Sequence, residues 1–211
     1  MVDNIYKYQV QTALLGDIVN IRAARRPERV ESYPFDSSLP YVNIQTLEFG
    51  TPELFTENSG GVMDKNDLVI VKDGSRSGKV FYAQEGVAAS TLAVLSPKSD
   101  ELNLNYLYCY LTYSYDDFQS RLRGSTIVHL DMNYLRQLKV PYPDVRMQNE
   151  IAEKYHNIEK LVNRLREKTL RLKEISIEAG NVELKKLSDN LNAEVDLIQK
   201  SWLHQVFKKT V

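Results

Sequence analysis

At 211 residues, with 43% hydrophobic and 26% charged side chains, the chain can bury one substantial core and holds no more than one or two domains. A formal net charge of −1 excludes a uniformly basic nucleic-acid binder but leaves room for a local cationic patch. There is no apolar run long enough to cross a bilayer and no apolar segment behind a basic start, so neither membrane association nor secretion is expected and the cytoplasm is the default compartment.

Residues 1–12 are polar and unpatterned, an arm preceding the fold. Leu14 to Ile21 reads as a short helix or turn leading into a strand. Arg22, Arg25, Arg26 and Arg29 then cluster around Pro27 without apolar periodicity, which marks a cationic loop. On charge alone such a loop is as readily a solvated one as a binding one. Leu39 to Ile44 is a β-rich run with Pro40 at its edge, followed by polar residues and a long loop through Gly60-Gly61. Asp67 to Val71 has the nearly continuous apolar character of a buried strand. Lys79 to Ala83 and Ala88 to Leu95 read as two further strands, the first reached through the loop Gly74-Ser75-Arg76-Ser77-Gly78.

From Asn105 to Phe118 the pattern turns helical, with Leu107, Leu111, Tyr115 and Phe118 on one face. The tyrosines of this stretch fit an amphipathic core face better than a platform for stacking bases. Cys109, the single cysteine, falls inside it and reads as buried, so no disulfide framework or zinc site is expected. Arg121, Arg123 and Gly124 open a polar turn that runs through Thr126 and His129 to Asp131, before a strand-like Leu138-Lys139-Val140 and the pair Pro141, Pro143.

Beyond the prolines, one helical pattern extends from about Gln148 to about Lys208. Ile151, Ile158, Leu165, Leu172 and Ala179 recur every seven residues, and Leu161, Val162, Ile175 and Val182 fill the neighbouring seam. At ~1.5 Å per residue a continuous rod would be on the order of 90 Å long, too long for the remaining residues to cover, so a partner helix is implied. The phase slips near Gly180 and resumes at Leu184, Leu187, Leu191, Val195, Ile198 and Trp202, which fits either a bent rod or a second helix. The expected fold is therefore α+β: a sheet-rich globular domain over 1–147, then a long helix or two helical segments over 148–211, pairing as an antiparallel coiled coil. Lys+Arg against Asp+Glu is 15 to 18 in the first region and 12 to 10 in the second, so neither is extreme.

Two stretches mimic catalytic motifs. Gly74 to Lys79 lacks the spacing of a phosphate-binding P-loop, with three residues between its glycines and Val80 where a hydroxyl for magnesium is needed. Its glycines could still offer backbone N–H groups to a nucleic-acid phosphate beside Arg76 and Lys79. Pro143-Asp144 with Glu183 and Lys185 superficially resembles a nuclease triad, but about forty residues of helix separate its halves. His129, His156 and His204 are scattered, so no metal is expected. No glycine fingerprint for a dinucleotide or S-adenosylmethionine is present, and the chain reads as non-catalytic.

The order of motifs resembles half of the specificity (S) subunit of type I restriction–modification systems. The likeness covers roughly Leu14 to Ile177 and is carried by LGDI (Leu15 to Ile18), YVNIQTL (Tyr41 to Leu47), DLVIVKDGSRSGKV (Asp67 to Val80), ASTLAVL (Ala89 to Leu95), LNLNYLYCYL (Leu102 to Leu111) and STIVHLDMNYLRQLKVPYP (Ser125 to Pro143), followed by Met147-Gln148-Asn149-Glu150 at the helix start. The resemblance implies a target-recognition domain over 1–147 that reads one half of a bipartite site in double-stranded DNA, and a conserved spacer helix after it. It further implies no enzymatic activity in this chain. Methyltransferase (M) subunits would carry S-adenosylmethionine and the chemistry, joined in some assemblies by restriction (R) subunits. A full-length subunit has two recognition domains and two spacers where this sequence has one of each, leaving the helix without an intramolecular partner.

On that basis phosphate contacts are expected from Lys72, Ser75, Ser77, Lys79 and Arg121, and base reading from among Arg22, Arg25, Arg26, Arg76, Arg123, Thr126 and His129. Ile151, Ile158, Leu161, Leu165, Leu172 and Ile175 are expected to hold an antiparallel homodimer, whose two-fold symmetry would demand an interrupted palindrome as target. The competing reading is a helix-mediated scaffold or decoy that engages the modification subunit without reading DNA.

Overall fold

A computed structural model describes residues 10–57, 61–124 and 128–208. Gln11–Val145 forms one compact unit and the helical region from Arg146 belongs to another. In chain order the elements are β1 (Thr12–Leu14), α1 (Leu15–Ile18), β2 (Val19–Ala23), β3 (Val30–Glu31), β4 (Leu39–Val42), α2 (Ile44–Phe49), β5 (Phe55–Thr56), β6 (Val62–Met63), β7 (Leu68–Val71), β8 (Val80–Tyr82), β9 (Gly86–Ala88), β10 (Leu92–Pro97), α3 (Leu104–Tyr113), α4 (Tyr115–Ser120), α5 (Met132–Gln137), β11 (Lys139–Pro141), α6 (Val145–Glu178) and α7 (Val182–Phe207).

The sheet-rich unit is organised around β7, whose four residues are all buried. β7 sits inside a four-stranded sheet of order β2-β10-β7-β8, with antiparallel pairing throughout. Val69, Val71, Leu92 and Val94 share a core with Val42, Met63 and Ala88 of a second sheet, of order β3-β5-β4-β9-β6. Leu68 and Ile70, which point the other way, are equally buried, so both faces of the strand are covered and its sequence shows no polar alternation. Burial on this scale contributes ~1.5–3 kcal/mol per large aliphatic side chain.

The run Ala88 to Leu95 is not one strand. β9 pairs in parallel with β4 in the second sheet, and β10 belongs to the first. Gly86 permits that crossing, because at φ +147° a Cβ would lie 2.4 Å from the Pro40 carbonyl oxygen. The helical stretch after Asn105 is likewise two helices, α3 and α4, parted at Ser114, whose Oγ donates to the Tyr110 carbonyl at 2.9 Å. Tyr106 and Tyr110 are core residues whose hydroxyls donate to the Pro141 and Lys139 carbonyls at 2.6 and 2.7 Å. Cys109 is buried.

Two short helices went unread in the sequence. α2 is capped by Asn43, whose Oδ1 accepts from Thr46 N at 2.9 Å, and closed by Gly50 at φ +80°. α5 starts at Asp131, whose carboxylate accepts from Asn133 N and Tyr134 N. Each is six residues long, too short to show a periodicity.

The helical region is a hairpin. Gly180 adopts φ +62° with open space around it, and Asn181 caps α7 by accepting from Leu184 N at 3.0 Å. Of the two forms expected, two helical segments are adopted: α6 ends at Glu178 and α7 runs back along it, so the helix expected to lack an intramolecular partner finds an antiparallel one within the chain. Ser188 Oγ donates to the Thr169 carbonyl at 2.7 Å, and the Tyr155 and Trp202 rings lie 5.7 Å apart. This register sets Val162 level with Val195, both buried. The seam thus runs Tyr155, Val162, Thr169, Ser176 on α6 against Ser188, Val195, Trp202 on α7, a heptad repeat with small residues near the turn.

The two flanks of the seam differ. On one, Arg166 pairs with Asp196 at 2.7 Å and Lys173 with Asp189 at 2.8 Å. The other flank holds the residues that immediately precede seam positions, Leu161, Ile175 and Leu187, each about half exposed. Ile158, Leu165, Leu172, Leu184 and Leu191 lie between seam and flank and are partly buried, while Ile151 is buried. No helix is long and apolar enough to cross a membrane among the described residues.

Candidate nucleic-acid interface

Strand register decides which cationic residues meet. Leu92, which opens β10, faces Val71, which closes β7, and Ala24 N donates to the Leu92 carbonyl just past the end of β2. Arg25 and Arg26 therefore leave the sheet at the same end as Lys72, and both are exposed. Arg22 does not join them. Its Nη2 donates to Ser96 Oγ at 3.2 Å and lies 3.7 Å from the buried Asp67 carboxylate, toward the opposite end of β7.

The glycine turn and the residues beside it are fixed against Gln119, Val128 and Leu130. Gly74 N donates to the Val128 carbonyl at 2.9 Å, Leu130 N to the Lys72 carbonyl at 2.8 Å, and Gln119 Nε2 to the Ser77 carbonyl at 2.5 Å. Gly78, at φ +90°, lies against Phe118, whose Cβ would be 2.9 Å from any added Cβ. This locking corrects two expectations. Ser77 is fully buried, with its hydroxyl donating to the Gly74 carbonyl at 2.8 Å, so it builds the turn instead of facing a ligand. The N–H groups of Gly74, Ser77, Gly78 and Lys79 are spent on internal carbonyls, so these glycines form no anion cradle, and what the turn presents outward is a set of side chains.

Those side chains are Ser75, Arg76 and Lys79, all exposed, flanked by Lys72, Arg121, Arg123 and His129. Thr126 lies outside the described residues. Carboxylates that the sequence did not single out hold most of the cations. Glu48 of α2 accepts from both Arg76 Nη1 and Lys79 Nζ, the latter at 3.0 Å. Asp73 contacts Lys72 and, at 2.7 Å, His129 Nδ1. Arg123 pairs with Asp131, and Arg121 pairs with Asp117 at 3.1 Å while stacking over the Tyr134 ring at 4.3 Å.

The electrostatics follow from these contacts. Lys79 first and Arg76 second hold the Glu48 carboxyl below its ordinary range. Partial burial pushes Asp73 upward, but His129 and Lys72 together outweigh it and leave the net shift downward. Asp131 is lowered by the Tyr134 backbone N–H and by Arg123. Lys72, Arg76, Lys79, Arg121 and Arg123 on this face thus each have a carboxylate beside them, while Arg25 and Arg26 are exposed. Among the described residues, no group of His, Cys, Asp or Glu side chains is placed to hold a metal ion.

Residues 9–174 match the family model described as the type I restriction modification DNA specificity domain. The specificity subunit of the type I restriction enzyme MjaVIII from Methanocaldococcus jannaschii is 24% identical over 150 residues, 70% of this chain and 35% of that protein. Among solved structures, the HsdS subunit of Thermoanaerobacter tengcongensis aligns at TM-score 0.59 and 20% identity over 95% of this chain and 45% of its own. The S subunit of M. genitalium aligns at TM-score 0.54 and 16% identity, covering 84% of this chain and 48% of that one. A chain from a structure on complex assembly and conformational transition of the type I R-M system aligns at TM-score 0.62 and 18% identity over 95% and 46%. These structural likenesses concern the fold. The chain spans about a third of the curated relative and just under half of the solved ones.

Proposed function

This chain belongs to the type I restriction–modification DNA specificity family, and from that premise we propose that its sheet-rich unit reads one half of a bipartite site in duplex DNA. The observation that carries the reading is the convergence of residues distant in sequence, Arg25-Arg26, Lys72 to Lys79, and Arg121, Arg123 and His129, around one end of one sheet. Lys72, Ser75, Lys79 and Arg121 serve the phosphates, while Arg25, Arg26, Arg76, Arg123 and His129 supply candidates for base edges. Arg22 and Ser77 act from behind, through Asp67 and the turn. The chain has no catalytic role; methyltransferase subunits that carry S-adenosylmethionine, and in some assemblies a restriction subunit, act where it positions them.

The half-exposed apolar flank of the hairpin supports association with a second copy. Leu161, Leu165, Leu172 and Ile175 of α6, with Leu184, Leu187 and Leu191 of α7, would close against themselves about a two-fold axis, giving four helices in place of the two first envisaged. Methylome sequencing of a host with and without this chain tests the whole reading: a sequence motif methylated only in its presence is expected, and identical methylomes would remove it.

One observation favours the scaffold reading. Lys72, Arg76, Lys79, Arg121 and Arg123 each hold a carboxylate of this chain, which lowers the charge offered to DNA. Equal affinity of the chain with its methyltransferase for every duplex sequence would select it.

A further inference from the structure

Glu48 joins two cations, and its placement is rigid on both sides. α2 is held at its start by Asn43, at its end by Gly50, and along its length by Gln84, whose Nε2 donates to the Thr46 carbonyl at 3.1 Å. Opposite it the Gly74 to Lys79 turn is locked by Gln119, Phe118 and the Val128 carbonyl. The Glu48 side chain is 19% exposed beneath Arg76 and Lys79, which are 48% and 45% exposed. The carboxylate thus lies behind the cations and leaves their outer surfaces open.

The contact uses one edge of the guanidinium only. Arg76 gives Nη1 to Glu48 Oε2, and its Nε and Nη2 meet no acceptor among the described residues. That remaining pair of parallel N–H donors is the fork that matches O6 and N7 of guanine in the major groove, the one base whose edge offers two adjacent acceptors. Lys79 is held differently, with Nζ on Glu48 Oε1 and 4.8 Å from the centroid of the Phe81 ring, as a point charge without a fork. Phe49, next along α2, is 77% exposed and adds an uncovered ring to the same shoulder.

We propose that Glu48 is a positioning residue that holds Arg76 by one nitrogen so that its Nε/Nη2 edge reads a guanine in the half-site, while Lys79 meets the adjacent phosphate. The inference rests on the DNA-reading function proposed above and adds the base, the edge and the residue that fixes it. An unbuttressed arginine samples many rotamers and pays for ordering when it binds, whereas one already tied to a fixed carboxylate does not. The carboxylate also weakens the attraction of Arg76 and Lys79 for phosphates in general, which favours a sequence-dependent contact over an indiscriminate one.

The test is selection from randomised duplexes by the full chain, in wild-type, Arg76→Ala, Glu48→Gln and Lys79→Ala forms, each checked for an unchanged melting temperature. The wild type should enrich a guanine at one position, and Arg76→Ala should lose it. Glu48→Gln should reduce the preference at that position by on the order of tenfold, while affinity for unrelated duplex holds or rises and the salt slope steepens by about one. Lys79→Ala should weaken all sequences alike. Replacing the selected guanine by 7-deazaguanine removes N7 and should bring the wild type down to the level of Glu48→Gln, leaving that variant nearly unaffected. Full guanine preference in Glu48→Gln, or insensitivity of the wild type to 7-deazaguanine, overturns the inference and leaves DNA reading intact. No enriched sequence with any form overturns DNA reading itself, and the inference with it.

Discussion

Val162 and Leu161 are neighbours on one helix, yet the hairpin gives them different duties, and substituting each separates the intrachain seam from the outer flank. Val162 is fully buried and Leu161 half exposed. Val162→Ala removes two carbons, ~0.8 kcal/mol each for transfer, and leaves a cavity that costs ~24 cal/mol per Å3. The total is about 2–3 kcal/mol, which for a chain of this length lowers the melting temperature by roughly 4–12 °C. Leu161→Glu removes a half-covered side chain with similar helix propensity, and the glutamate stem keeps part of the contact, so hairpin stability should change by less than ~1 kcal/mol. In a two-fold assembly, however, the same substitution appears twice and brings uncompensated carboxylates into an apolar contact. Circular dichroism melts read the first effect, and light scattering at tens of micromolar reads the second. The wild-type melting temperature should rise with concentration, and Leu161→Glu with Ile175→Glu should abolish that rise. A Val162→Ala variant that melts like wild type would refute the seam, and a wild type monomeric at that concentration would refute the flank as a self-association surface.

Four further outcomes are expected. Arg123→Ala should lower affinity for one preferred sequence by ~1–3 kcal/mol with little effect on others, whereas Arg121→Ala should weaken all duplexes and flatten the salt slope by about one, as fluorescence anisotropy across a salt series would show; the reverse pattern would exchange their roles. Glu48, Asp73 and Asp131 have folded-state pKa values below their ordinary ones, so the folded chain binds fewer protons than the unfolded chain between the two values. Their stabilising contribution is present above the ordinary carboxylate range and is lost as pH falls through the folded values, so urea midpoints should drop below about pH 4.5 and drop less steeply in Lys79→Ala. A methylome should show an interrupted palindrome if two copies read the site, and an asymmetric motif would point to pairing with a different specificity chain. A heptad inserted into α6 alone should slide Arg166 and Lys173 past Asp196 and Asp189 by ~10 Å and cost hairpin stability, whereas matched insertions in α6 and α7 should restore the melt.

What the sequence determined by itself was local and periodic. An unbroken apolar run announced β7 because a strand covered on both faces needs no polar alternation. The heptads announced a helix requiring a partner, and the order of short motifs carried the family. Tertiary structure decided what depends on distance and register. Whether Gly180 bends a rod or reverses it turns on one left-handed backbone conformation and an asparagine cap, and the reversal moved the helix partner inside the chain. Strand pairing sent Arg22 to Asp67 and away from the arginines that follow it, although all lie within a few residues. Ser77 looked like a phosphate ligand because serine between glycines often is one, and only the packing of Phe118 and the Val128 carbonyl shows it buried. Glu48 was invisible for the same reason. A carboxylate twenty-eight residues from Arg76 carries no signal of its own until a six-residue helix, too short for periodicity to announce, sets it beneath two cations.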